Sequence, residues 1–181
     1  MRGLLFGFLV VVTLVFGASY ASAILFSFMG PFSAVGIEQD GSQTHMAFGQ
    51  NLARPEWVPV YPGASIVQAS KVTAARSPSG FHSLDLATRA SLDDVKRFYT
   101  EQLTASGFTV TDLGIAPLNP ATARMLGMDG TISAKRAATD DFIYVQIRTP
   151  DGLIPSRMLQ IRWAKISEYP QHAAAIQSDI P

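Results

Sequence analysis

Hydrophobic and polar positions divide the chain into stretches of different period. From Gly3 to Ile37 no residue is charged, and the run GLLFGFLVVVTLVFGASYASAILFSFMGPF is apolar nearly throughout. A bilayer core of ~30 Å takes about 20 helical residues, so this run can span one, with Pro31 marking the end of the helix. Ile37 to Arg54 is polar, contains glycine and shows no period; it reads as a linker. Three closely spaced prolines in Pro55-Glu56-Trp57-Val58-Pro59-Val60-Tyr61-Pro62-Gly63-Ala64 then favour an extended path that lays apolar side chains onto the domain.

Beyond this strip the period changes to that of strands and one helix. Ser65–Ala75 and Phe81–Thr88 read as a hairpin, with Leu84 and Leu86 on one face and Ser83 and Asp85 on the other. Leu92 to about Ser106 is the best helix: Ser91 caps it, Asp94 completes a capping box, and Gly107 ends it. Its apolar face is Leu92, Val95, Phe98/Tyr99 and Leu103. A short strand follows at Phe108–Asp112, then a short helix from Pro120 to about Leu126, capped by Asn119. Strands at Gly130–Ala137, Phe142–Thr149 and Ser156–Ile166 close the domain, the last two alternating cleanly with Ile143, Val145, Ile147, Leu159, Ile161 and Trp163 inward.

The expectation is an α+β domain of order ββαβ(α)βββ. It has an antiparallel sheet of about five strands, with one main helix on one face, behind an N-terminal transmembrane or signal helix. Residues 1–36 form the anchor or signal, 37–56 the linker, 57–167 the domain and 168–181 a polar tail. The expected core is Leu84, Leu86, Val95, Phe98, Phe108, Val110, Ile143, Val145, Ile147, Leu159, Ile161 and Trp163.

Composition narrows the function. Fourteen Lys+Arg balance 14 Asp+Glu among 181 residues, without the basic excess of an electrostatic nucleic-acid binder. With no Cys there is no disulfide, thiolate metal site, cysteine nucleophile or lipid-bearing cysteine. Arg2 and the amino terminus are the positive charges before the apolar run, while Glu38 and Asp40 follow it, an expected bias that holds the N-terminus in the cytoplasm. Ala21-Ser22-Ala23 also has the form of a signal-peptidase site. Two readings therefore stand. One is a single-pass protein of a bacterial inner membrane, held through residues 3–30, whose periplasmic domain has a non-enzymatic binding or structural role through protein or envelope contacts, as an accessory component of an envelope protein assembly. The other is a soluble periplasmic protein released after Ala23 that binds a small ligand.

Catalytic chemistry is sparse. His45, His82 and His172 have no metal-ligand spacing, and neither a nucleophile elbow nor a phosphate loop is present, so no catalytic, cofactor or metal residue is assigned. Asp93/Asp94 and Asp140/Asp141 fit a helix cap and a turn. Ser83, His82 and Asp85 make a triad by letter only, because strand neighbours point to opposite faces. Arg148, Arg157, Arg162 and Lys165 with Phe142 and Tyr144 suggest a basic–aromatic outer face. If the protein acts by contact with a protein partner, the candidate surface is Trp57, Tyr61, Phe142 and Tyr144, because aromatic anchors are enriched at hot spots. The alternative is that the Trp57–Tyr61 strip packs within the molecule along a sheet edge.

Trp57-Val58-Pro59-Val60-Tyr61-Pro62-Gly63-Ala64, together with Ser91…Val95-Lys96-Arg97-Phe98-Tyr99…Leu103…Gly107-Phe108, resembles a loose group of uncharacterised bacterial exported proteins. Their pattern is P-x-Y-P-G-A, two strands, V-x-x-F-Y-x-x-x-L-x-x-x-G-[WF] and closing strands. The resemblance covers residues 57 to 166 and implies a fold and an exported location, but carries over no catalytic residue. Many of the group look like lipoproteins; this chain lacks the cysteine and would use its apolar helix instead.

Overall fold

An eight-stranded antiparallel sheet organises the protein, with one long helix on one of its faces. The computed structural model describes residues 31–37, 42–75, 77–115, 120–150 and 156–168. The strands are β1 (Phe32–Ile37), β2 (Gln43–Gly49), β3 (Ser65–Ala74), β4 (Ser77–Thr88), β5 (Thr109–Gly114), β6 (Met128–Arg136), β7 (Asp141–Arg148) and β8 (Arg157–Lys165). The helices are α1 (Leu92–Ala105) and α2 (Pro120–Met125). Spatial order is β1-β2-β3-β4-β8-β7-β6-β5, every neighbouring pair antiparallel.

This corrects the sequence reading on two counts. Among the described residues the sheet has eight strands rather than about five: the last residues assigned to the anchor form β1, the middle of the expected linker forms β2, and this pair is joined to β3. The element order is ββββαβ(α)βββ. Phe32 stacks on Phe48 with ring centroids 4.6 Å apart, and Ala34 pairs with Met46, so the hairpin has an apolar side of its own. Residues 1–30 of the expected anchor or signal lie outside those described, as does the tail beyond residue 168, whereas residues 32–36, also assigned to the anchor, belong to β1. Among the described residues no helix is long and apolar enough to cross a membrane.

The main helix forms as its sequence dictates. The Ser91 hydroxyl accepts from the Asp94 N–H at 3.1 Å and donates to the Asp94 carboxylate at 2.7 Å. At the other end the Phe108 N–H reaches the Leu103 carbonyl and the Gly107 N–H reaches Thr104, a Schellman stop made possible by Gly107 at φ +80°. The face that meets the sheet is Val95, Tyr99 and Leu103, all buried. Phe98, expected in the core, is only partly buried and packs edge-on to Tyr61. Val110 is likewise partly buried, and the other expected core residues are buried.

The helix-facing side of the sheet carries Leu84, Leu86, Leu159, Ile161, Trp163, Ile143, Val145, Ile147, Ile132 and Ala134, locked in cross-strand rows such as Leu84–Ile161–Val145–Ile132. Because α1 meets β5 and β6, the sheet needs a second cover. The Trp57–Ala64 strip supplies it. Val58 is buried in the same core, Trp57 packs on Phe108 at 5.1 Å, and Tyr61 packs on Phe98 at 5.1 Å.

Candidate functional site

At one end of the sheet, β4, β8, the β6–β7 turn and the start of the Trp57 strip converge on a cleft of about 360 Å³. Its walls include Trp57, His82, Asp141, Trp163 and Lys165, so both tryptophans of the chain line it. Strand register builds it: His82 of β4 pairs with Trp163 of β8, and Trp163 pairs with Ile143 of β7, two residues along from Asp141. Gly80, at φ +85°, lies near the start of β4, where the register with β3 shifts between Val72 and Ala74. A Cβ there would lie 2.8 Å from the Val72 carbonyl.

One wall is aromatic. The His82 ring stacks on Trp163 at 5.0 Å, and its Nε2 donates to the Ser79 carbonyl at 3.0 Å, which leaves Nδ1 as the ring's acceptor. Burial pushes the His82 pKa down; the Ser79 bond opposes this, and the ammonium of Lys71, its cross-strand partner, reinforces it. His82 is therefore neutral at pH 7.

Asp141 and Lys165 of the lining belong to an ion cluster. Asp141 accepts from Lys165 Nζ at 2.6 Å, from Arg136 at 2.7 Å and from the Thr139 hydroxyl at 2.5 Å. Burial alone would raise its pKa, but these donors outweigh it and hold the carboxyl below the ordinary range. Arg136 also lies over the rings of Trp57 and Phe108, 5.3 and 4.7 Å from their centroids, tying the ion cluster to the aromatic strip. A carboxylate so occupied is a poor general base. Among the described residues no group of three or more His, Asp or Glu side chains can hold a metal ion. The cleft therefore offers flat aromatic surface, one imidazole acceptor and a fixed rim of charge, which is binding chemistry.

The other face of the sheet bears a polar band. Asp85 of β4, Gln160 of β8 and Gln146 of β7 stand in one row, with Ser83, Arg162 and Tyr144 in the next. Ser70 and Ser83 share a 2.7 Å hydrogen bond, and Arg162 donates to Gln160 at 2.6 Å. Burial raises the Asp85 pKa; a hydrogen bond from Gln160 and the fields of Arg162 and Arg148 oppose the shift without cancelling it.

The structure separates the residues that the sequence grouped. Trp57 and Tyr61 lie on the helix side, against the core rather than along a sheet edge. Phe142 and Tyr144 lie on the opposite face, Phe142 with only 4% of its surface exposed. The four do not form one surface. The expected basic–aromatic face splits likewise. Arg148 and Arg162 join the polar band, whereas Lys165 belongs to the Asp141 cluster and Arg157 pairs with Asp129 at the other sheet end. His82 and Asp85 point to opposite faces, so no triad forms. What sequence reasoning missed is the meeting of His82, Trp163 and Asp141. It depends on pairing between β4 and β8, far apart in the chain, and no local pattern signals it. No protein-family model, curated protein or solved structure matches the chain.

Proposed function

We propose that the chain is a membrane-anchored, non-enzymatic binding domain on the periplasmic side of a bacterial inner membrane. The cleft between Trp57, His82, Trp163 and the Asp141 cluster is its ligand site. The observation that carries this reading is the convergence of both tryptophans on one cleft whose charged wall is already satisfied internally. Such a site suits a small amphipathic ligand with a flat apolar face and a donor for the His82 ring, and cleft volumes of a few hundred cubic ångströms are typical for such ligands. The anchor reading is supported by the uncharged run from Gly3, of which the residues before β1 still exceed the ~20 that a span requires.

Two measurements on the native protein test this. Membrane fractionation with N-terminal sequencing reads the anchor. Full-length chain in the membrane fraction is expected; a soluble periplasmic product beginning at Ile24 establishes the cleaved form instead. Native mass spectrometry of the protein released from its own envelope reads the site. A bound small molecule is expected in the parent, and its loss in Ser79→Phe, which adds a ring at the cleft rim. A parent free of ligand under mild release contradicts the reading.

A further inference from the structure

Both edges of the sheet are open among the described residues, but they are built differently. The β5 edge is guarded. It carries Asp112, held by Lys96 at 2.9 Å, and a register shift between Asp112 and Gly114 interrupts the strand. Charge and bulges at an edge are how proteins prevent edge-to-edge pairing. The β1 edge, Phe-Ser-Ala-Val-Gly-Ile, has no charge, no proline and an unbroken register with β2. Val35 and Ile37, on the same side of the strand, are 58% and 78% exposed, among the most exposed large hydrophobic residues of the described chain.

We propose that β1 pairs antiparallel with β1 of a second copy of this chain, joining two sheets edge to edge across a two-fold axis at Val35. The sequence of the strand favours a copy of itself as occupant. Centred on Val35, the pairing sets Val35 opposite Val35, Ser33 opposite Ile37 and Ala34 opposite Gly36. No like charges face each other, and Val35 and Ile37 of both copies gather into one apolar cluster. Centring on Ala34 instead would place Val35 opposite Ser33 and leave that cluster dispersed. The chain's organisation adds to this. The apolar run leads directly into β1, so anchored copies present their β1 edges at one height above one membrane, and confinement raises their effective concentration. That last point rests on the anchored reading; the strand pairing itself does not.

The absence of cysteine makes the test clean. Val35→Cys, Ser33→Cys and Thr109→Cys are introduced singly into the full chain and oxidised in native membranes, and fractionation of the same sample reports anchoring separately. Residues directly opposite in an antiparallel pair bring their Cβ atoms close enough for a disulfide. Val35→Cys is expected to give disulfide-linked dimer at least about fivefold above Ser33→Cys and above Thr109→Cys on the guarded edge. Adding Ser33→Lys and Ile37→Lys to Val35→Cys sets lysines opposite one another and is expected to abolish the dimer. Equal yields at all three cysteine positions, or a Val35→Cys dimer indifferent to the added lysines, overturn the proposal; the latter would mean that the apolar segments alone bring the chains together.

Discussion

The imidazole of His82 lies nearly flat on the indole of Trp163, with centroids 5.0 Å apart and planes 14° from parallel. The two are cross-strand partners, so the stack is fixed by the β4–β8 register rather than by a loop. Because burial pushes the His82 pKa below its ordinary value, the unfolded chain binds this proton more readily than the folded one. His82 thus leaves stability unaffected above pH ~6.5 and opposes folding as pH falls below it. His82→Phe keeps an aromatic ring on Trp163 without the proton. Its unfolding midpoint is expected to fall less than the parent's between pH 7 and pH 5. Parallel curves for the two proteins would show that His82 does not titrate against the fold.

Asp141 has the opposite sign. Its carboxyl is held below the ordinary range, so its contribution is fully present above pH ~3.8 and is lost as pH falls through the still lower folded value. Asp141→Asn leaves Arg136 and Lys165 without their anion, and is expected to cost about 2 kcal/mol at pH 7. The gap between parent and variant should close in acid. Denaturant unfolding at pH 7 and pH 3 measures both, and an equal cost at the two pH values contradicts the ion cluster.

Tyr99, not Phe98, is the aromatic centre of α1. Tyr99 is fully buried, while Phe98 is half-covered by Tyr61. Tyr99→Ala is expected to lose about 3–5 kcal/mol, and Phe98→Ala roughly half as much. Urea midpoints for the two variants decide the helix register; the reverse ranking would place Phe98 inward.

Gly80 and Gly63 both sit at positive φ, but only Gly80 is crowded, with a Cβ reaching 2.8 Å from the Val72 carbonyl and from the Thr73 methyl group. Gly80→Ala is therefore expected to cost on the order of 2 kcal/mol, and Gly63→Ala about 1 kcal/mol. Thermal melts of the two distinguish steric closure of the cleft floor from backbone preference alone; equal losses would mean that the β3–β4 contact is looser.

Much of this architecture was legible locally. The Ser91/Asp94 cap, the Gly107 stop and the alternation of β7 and β8 are short-range signals, and each element formed where they stand. The β1–β2 hairpin was not legible. Thr44, Met46 and Phe48 do alternate, but glycine and polar flanks masked them, and the pairing is completed by β3, which local sequence does not reveal. The cleft was hidden for a related reason. His82 read as a sheet-end side chain, Trp163 as core and Asp141 as a turn, and each description holds in isolation. Only the sheet order brings them together.

Trp57, His82 and Trp163 frame the proposed ligand site, and the chain carries its own reporter. Both tryptophans line the cleft, so in Trp57→Phe all indole emission comes from Trp163. The measurement is a titration of that emission in the full-length protein with the low-molecular-weight fraction of the source cell's envelope. A saturable spectral shift that disappears when Ser79→Phe is added is the predicted result. An emission spectrum unchanged by that fraction, or a shift that survives Ser79→Phe, would contradict the assignment of the cleft as the binding site.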